Sequence, residues 1–388
     1  VIRPASGRVV TTDRGVVRVL DRRGEDAARV SVPYDQASAT VRQLRVWVSA
    51  PDGKVRSIGD KDAVDRSLAE YGSLKTDVRV RVIAPDGIEP GAVVAWEWTL
   101  DEEPFLGEDL FEFGSIYPIA LERFEIQFPA GVEPEVRGWG PSVPAAVRDE
   151  HGWRWELRDL PALRDEPMSA SSLTFANHLV VWPRPPAGVP GTRFASWQEL
   201  SRWLATLSAP SAVSTPALVE KASELSHGRS TPLDRARAIG RFVQGVPYVS
   251  VDVGLAHGEG YRPRPADLVL HRGYGDCKDK ANLFCTLARA AGLEAWLVSV
   301  HNEERDRVHP EWPSPWLFNH CIAALRVPAG SGLAAERDST PLGPLLFFDP
   351  TDANTPLGSL PEDEQGSWAL LHSPEHGELL RLPVPEAS

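Results

Sequence analysis

Cys277 lies where the sequence predicts the start of a helix, directly after Gly275-Asp276. The apolar residues that follow recur at helical spacing, at Ala281, Phe284, Ala288 and Ala291. Gly292 then has the position of a helix C′ residue. At a helix start, the unpaired N–H groups and the positive end of the helix dipole stabilise a negatively charged sulfur. The position therefore favours two interpretations equally: a reactive thiolate, or a small apolar residue that fills the helix end.

Two residues farther along the chain could complete a nucleophilic site. His320 lies in the predicted strand 318–327, and Asp349 ends the predicted buried strand 345–348. A cysteine nucleophile needs a base that takes its proton, and the imidazole in turn needs a carboxylate or amide that fixes its tautomer. The spacing is only moderately specific, because the chain holds ten histidines and many aspartates. If Asp349 serves only to form the turn after its strand, Asp352 is the alternative third member.

These motifs resemble the transglutaminase-like superfamily, and most closely the bacterial branch that carries an N-terminal DUF3857 domain. The C-terminal motifs are residues 275–281 (GDCKDKA), Asn319-His320, Asp349-Pro350-Thr351, residues 355–358 (TPLG) and Gln365-Gly366. The N-terminal motifs are weaker, and consist of residues 41–51 followed by Asp52-Gly53-Lys54, and of residues 88–91 (IEPG) before a strand from Val93. The resemblance spans nearly the whole chain.

The resemblance implies a papain-like α+β core in which Cys277, His320 and Asp349 match the catalytic triad of the family. It implies a cysteine protease, amidase or acyltransferase that forms a thioester from a peptide or side-chain amide and passes the acyl group to water or to an amine. No cofactor and no metal are implied. The expected partner is a protein or peptide substrate, including a cell-envelope peptide. Family members of this architecture are usually exported, which implies a periplasmic or extracellular location.

Two alternatives to an enzyme are a catalytically silent binding or scaffold module of the cell envelope, and an adhesin-like structural role for the N-terminal half. A silent module predicts a broken triad. Because all three triad positions are filled in this chain, we favour the enzyme.

Composition limits the other classes of function. A length of 388 residues suits two to three domains with a sizeable core, and the net charge of −13 argues against nucleic-acid binding through a basic face. No apolar run approaches the ~18 residues of a membrane span, so we expect no integral membrane segment. Three cysteines, an odd number, argue against a disulfide framework. We expect Cys285 and Cys321 to be core residues, with Cys321 pointing to the sheet face opposite His320.

The sequence changes character once along its length. Short alternating runs separated by turns predict an antiparallel β-sandwich domain over residues 1–182, and a Pro/Gly-rich linker follows at 183–195. The period is helical after the linker, and the resemblance implies a transglutaminase-like domain over residues 196–388. Its first helices are expected to begin after Ser196, at Pro216 and after Thr231.

Other polar residues make weaker candidates for a site. We expect His301 and His309 to be solvated loop residues, and His257 to lie in a glycine-rich loop, 254–260, that lacks the Lys-Ser/Thr of a phosphate cradle. Gln244 could donate to an oxyanion, although a solvent-exposed glutamine at a helix end is the simpler interpretation. Trp312 and Trp316 either pack the core or wall a substrate groove.

Overall fold

The computed structural model describes residues 1–3, 7–68, 73–164, 176–184, 193–252, 259–328, 330–339 and 342–385. The described residues fall into two compact units, an N-terminal unit (within 1–164, 176–184 and residue 252) and a C-terminal unit (193–251 and, with short gaps, 259–385). Most of the predicted linker (185–192) and most of the predicted glycine-rich loop (254–258) lie outside the described residues.

The N-terminal unit is built from antiparallel strands. They are β1 (Val9–Arg18), β2 (Val30–Asp35), β3 (Ala39–Ser49), β4 (Val55–Ile58), β5 (Val64–Ser67), β6 (Ser73–Thr76), β7 (Val78–Ile83), β8 (Val93–Glu102), β9 (Asp109–Phe113), β10 (Ile119–Ile126), β11 (Glu133–Trp139), β12 (Val147–Asp149), β13 (Gly152–Leu160) and β14 (Asn177–Arg184).

Two pairs of packed sheets form in this unit. The sheet β1-β8-β3-β4 packs against the sheet β2-β7-β5, and the shared core contains Val32, Val46 and Ile83. The sheet β10-β13-β12 packs against the sheet β11-β14-β9, where the rings of Phe111 and Phe124 stack with centroids 4.9 Å apart. The period-2 pattern predicted the strands, because one face of each strand is buried. That pattern carries no information on which sheets face each other, so it did not distinguish one sandwich from two sheet pairs.

The C-terminal unit begins with helices and ends with strands. The helices are α1 (Trp197–Ser208), α2 (Pro216–Ser226), α3 (Pro232–Gln244), α4 (Ala266–Arg272) and α5 (Cys277–Ala290). The strands that follow the first three helices along the chain are β15 (Ser250–Asp252), β16 (Ala295–Val300), β17 (His320–Arg326), β18 (Glu336–Ser339), β19 (Gly343–Phe348), β20 (Trp368–Leu371) and β21 (Leu379–Arg381).

The predicted caps account for where these helices start. Ser196 accepts a hydrogen bond from the backbone of Glu199 at the start of α1, and Thr231 caps α3 with a proline at its first position. Asp276 and Asp279 form a reciprocal capping box at α5. The helix starts predicted from sequence are therefore confirmed.

Helix α5 is the buried centre of this unit. It packs against β16 and β17 of an antiparallel sheet with strand order β18-β19-β17-β16-β20-β21, and α2, α3 and α4 surround it. Every residue from Asp279 to Ala288 is buried, and the ring of Phe284 lies 5.0 Å from that of Phe348 on β19. This contact fixes the helix that begins at Cys277 against the strand that ends before Asp349.

The architecture confirms the predicted fold class, an antiparallel β-rich N-terminal region followed by an α+β core. Within the ranges that the model describes, none of the helices combines the length and the apolar character needed to cross a membrane.

The approach to α5 requires glycine at position 275. A Cβ atom placed there would lie 2.6 Å from the Cβ of Asp279, whereas one at Gly245, which has an ordinary φ of −70°, would have its nearest neighbour at 3.4 Å. We therefore expect Gly275→Ala to lower the free energy of unfolding by about 1–3 kcal/mol. The control Gly245→Ala should change it by less than about 0.5 kcal/mol. Urea denaturation of both variants measures the difference, and equal effects would contradict the proposed clash.

Candidate active site

Cys277 is the first residue of α5 and is partly exposed. It borders a cavity of about 120 Å³ in the C-terminal unit. The residues that line this cavity are Leu204, Gly260, Tyr261, Cys277, Lys278, Ser299, Pro315, Phe318, Asn319, His320, Cys321 and His372. The cysteine and the histidine predicted from sequence therefore share one cavity.

His320 and Asp349 are brought together by the pairing of β17 with β19. His320 is the first residue of β17, and Asp349 directly follows β19. The Nε2 atom of His320 lies 3.1 Å from Oδ2 of Asp349; the side chain of Asp349 is buried and that of His320 is mostly buried, at 9% exposed. Thr351 donates twice to the same carboxylate, from its backbone N–H to Oδ1 at 2.7 Å and from its hydroxyl to Oδ2 at 2.9 Å.

The electrostatics of this pair are those of an ion pair. Burial alone would raise the pKa of Asp349, but the hydrogen bond and charge of His320, with the donors of Thr351, lower it below its ordinary value. Burial likewise would lower the pKa of His320, but hydrogen bonds and charge from Asp349 and Cys277 raise it well above the ordinary value. His320 thus interacts with the carboxylate and with the cysteine at the same time.

Charged side chains hold the first turn of α5 in place. The buried Asp279 accepts from the backbone and the guanidinium of Arg264, at 2.7 and 2.6 Å. The buried Lys280 donates to the carbonyls of Gln244 and Val246, at 3.3 and 2.7 Å. Lys278 pairs with Asp276. These charged residues are paired or hydrogen-bonded, as buried charges must be.

Tyr248 is a neighbour of Cys277 that the sequence analysis missed. A parallel bridge joins Tyr248 to Gly275, with the N–H of Val249 donating to the carbonyl of Gly275 at 3.0 Å. The pKa of Tyr248 is raised well above its ordinary value by burial, by the charges of Cys277 and Asp276, and by a hydrogen bond to Cys277. The bridge thus holds Tyr248, whose side chain remains partly exposed, beside Gly275, two residues before the cysteine. No motif marked it, because the contact depends on how two distant segments pair.

Ser299 and His372 form a second polar pair in the cavity. Ser299 Oγ lies 2.7 Å from Nε2 of His372, and both residues are buried. Burial lowers the pKa of His372 to about 3, so this imidazole is neutral at physiological pH. Sequence reasoning did not single out either residue, because a lone serine in a strand and a histidine after one have no distinctive spacing.

Glu364 is a neighbour of His320 that the sequence analysis did not identify. Its Oε1 lies 3.6 Å from Nε2 of His320, and its side chain is only 1% exposed. One signal was available: it directly precedes Gln365-Gly366, a motif used for the resemblance. Nothing in the sequence placed it next to the histidine.

The alternative candidates have other surroundings. Gln244 donates to the carbonyls of Asp352 and Thr355, at 2.6 and 2.8 Å, so it braces a loop and is not the solvated residue expected. Asp352 accepts from the backbone of Asn354 at 2.8 Å and from the hydroxyl of Thr355, and therefore serves that loop. Trp312 is buried and Trp316 is exposed.

The two remaining cysteines are buried, as expected, but one expectation about them is wrong. Cys321 lines the same cavity as His320 and does not lie away from it. His320 is the terminal residue of its strand, where the regular alternation of side chains ends.

Comparisons with known proteins agree with this fold. Residues 5–164 match the model of DUF3857, a domain of unknown function, and residues 219–330 match the model of the Transglutaminase-like superfamily. The resemblance predicted from sequence is thereby confirmed, in the same order along the chain.

Solved structures give further comparisons. The chain is similar to a crystal structure of a "putative protease" from Parabacteroides distasonis, with a TM-score of 0.70 at 15% identity, covering 98% of this chain and 70% of that chain. At that identity the similarity establishes a shared fold. A "putative cysteine protease" from Cytophaga hutchinsonii gives a TM-score of 0.25 at 9% identity, covering 89% of this chain and 79% of that chain, which supports no conclusion. No curated protein matches the chain.

The three cysteines should differ in reactivity. Burial raises the pKa of Cys285 to about 11 and that of Cys321 well above its ordinary value, whereas Cys277 is partly exposed beside His320. We expect iodoacetamide at mildly acidic pH to label Cys277 more than about tenfold faster than either of the others. Peptide mapping by mass spectrometry measures the rates, and Cys277→Ser should remove the fast phase. Equal labelling of all three in the folded protein would contradict the prediction.

Proposed function

We propose that this chain is a thiol enzyme of the transglutaminase-like superfamily, in which Cys277 attacks an amide carbonyl and forms a thioester. The observation that carries the proposal is the position of His320, which is hydrogen-bonded to Asp349 at 3.1 Å and interacts with Cys277 at the wall of one cavity. A base between a thiol and a carboxylate is the arrangement that nucleophilic catalysis by cysteine requires.

The reaction has two halves. In the first, the Cys277 sulfur bonds to the carbonyl carbon, and His320 gives its proton to the leaving nitrogen as the C–N bond breaks. In the second, water or an amine attacks the thioester, His320 accepts the proton of the attacking group, and the C–S bond breaks. Asp349 forms no bond to the substrate; it holds the Nε2 side of the imidazole and stabilises the charged form.

Charge that develops on the carbonyl oxygen needs hydrogen-bond donors close to the sulfur. The backbone N–H of Cys277 is at the first position of α5 and has no intrahelical acceptor. Tyr248 pairs with Gly275, two residues before Cys277, so its hydroxyl is a second candidate donor. We assign these two groups as the candidate oxyanion donors, in place of Gln244, whose amide is engaged in the loop.

The acyl donor in this proposal is a protein or peptide amide, including a cell-envelope peptide, and the site would operate outside the cytoplasm. Incubation of the full chain with glutamine-containing peptides and with peptidoglycan-derived peptides, followed by acid quench and mass spectrometry, tests it. A mass increase on the tryptic peptide that contains Cys277 identifies the acyl group. Adding a primary amine then separates hydrolysis from acyl transfer. A silent binding module would retain peptides without any acyl adduct.

Substitutions separate the roles of Asp349 and Cys277. Cys277→Ala should abolish the thioester, because no nucleophile remains. Asp349→Asn should retain slow turnover, reduced by about 10³–10⁴, because the amide keeps the shape but no longer stabilises the charged imidazole. Thermal unfolding of each variant is the control, since Asp349 also accepts the N–H of Thr351. If Asp349→Asn lowered stability and left the alkylation rate of Cys277 unchanged, Asp349 would be a turn-forming residue only.

A further inference from the structure

The carboxyl group of Glu364, which the reaction scheme above does not use, lies in a cluster with Asp349 and His320. One carboxyl oxygen each from Glu364 and Asp349 and one ring nitrogen of His320 all lie within 4.8 Å of one another. The three side chains are 1%, 5% and 9% exposed, respectively. Among the described residues, no hydrogen-bond donor reaches Oε2 of Glu364. A buried carboxylate without a donor costs several kcal/mol, so this group requires an explanation.

The charges in the cluster do not balance if both acids are ionised. His320 supplies one positive charge and directs its Nε2 hydrogen at Asp349. Burial lowers the pKa of Lys280 and the negative charge of Asp349 opposes that shift, but the ammonium donates its hydrogen bonds to backbone carbonyls. Asp363, next to Glu364, is exposed and adds negative charge. Two neighbouring buried carboxylates that face one cation hold a proton between them.

The donors around the two acids decide which one holds the proton. Asp349 accepts from His320 and twice from Thr351, and those bonds favour its charged form. Glu364 has no such donors at Oε2. Burial and the charge of Asp349 raise the pKa of Glu364 to about 9, in agreement with the geometry.

We propose that Glu364 is a neutral carboxylic acid at physiological pH and donates its proton in a hydrogen bond to Asp349, which makes it a positioning residue for the Asp349–His320 pair. A neutral acid fixes the carboxylate without adding a second negative charge at the imidazole. An ionised Glu364 would hold the imidazolium too strongly for it to release a proton to a leaving group. The effect on Cys277 rests on the function proposed above, whereas the protonation of Glu364 does not.

Three single variants of the full chain test the proposal. Glu364→Gln keeps the length and supplies an N–H donor that cannot ionise. Glu364→Met keeps the length and supplies no donor. Asp363→Asn is the matched control, because it removes a neighbouring carboxylate that is exposed.

The first readout is thermal unfolding as a function of pH. The folded wild-type protein keeps a proton on Glu364 that the unfolded chain releases above about pH 4.5, so a rise in pH between about 5 and 9 destabilises it. Glu364→Gln has no group to titrate there. We expect its melting temperature, relative to wild type, to increase steadily across that interval, and that of Asp363→Asn to stay level. If the difference in melting temperature between Glu364→Gln and wild type did not change with pH, the proposal would be overturned. A wild-type melting temperature that falls on addition of EDTA would also overturn it, because a cation would then occupy the position of the proton.

The second readout is the rate at which iodoacetamide alkylates Cys277 between about pH 5 and 8. Glu364→Gln should follow wild type within about twofold, and Glu364→Met should be slower by about tenfold, the factor that corresponds to one lost hydrogen bond to a charged group. Equal losses in the Gln and Met variants would overturn the positioning role. Failure of the proposed function appears separately, as slow alkylation of Cys277 in the wild type while the stability series keeps its slope.

Discussion

The hydrogen-bonded pair of Asp349 and His320 is the contact on which the arrangement of the candidate site depends. The two residues come from neighbouring strand ends, and burial makes each charge costly without the other. Thr351 donates to both oxygens of the carboxylate and fixes its orientation, which in turn orients the ring. With Nε2 directed at Asp349, the other ring nitrogen is left for the sulfur. The strand pairing thus determines both where the base lies and which of its nitrogens is available.

Helix α5 brings the sulfur to this pair. Its interior is apolar and packs on the sheet, while its first turn carries a dense set of charges. Asp279 is held by Arg264, and Lys280 is held by two carbonyls at the end of α3. Since an unpaired buried charge would destabilise the unit, this first turn has little freedom to move. A nucleophile on such a turn is preorganised for attack, which reduces the entropy that the reaction has to supply.

Local rules predicted much of this arrangement. Helical spacing and the capping residues gave the start of α5 at Cys277, and strand patterns put His320 on a strand and Asp349 at the end of one. These features depend on neighbours in sequence. Tyr248, Ser299, His372 and Glu364 were not predicted. Each reaches the site through pairing or packing between distant segments, which no local spacing encodes. The same limit applies to Gln244, where a helix-end amide could equally meet solvent, an oxyanion or, as found, two carbonyls.

Lys280 and Gln244 together connect the two parts of the chain that carry Cys277 and Asp349. The ammonium of Lys280 joins α5 to the carbonyl of Gln244, and the amide of Gln244 joins the end of α3 to the loop that follows Asp349. A chain of hydrogen bonds thus links the helix that carries the nucleophile to the loop that follows Asp349. We expect this link to restrain the separation between sulfur and carboxylate, because movement of either end would strain the hydrogen bonds. The second lysine of the Cys-Lys-Asp-Lys segment therefore contributes rigidity to the site without touching a substrate.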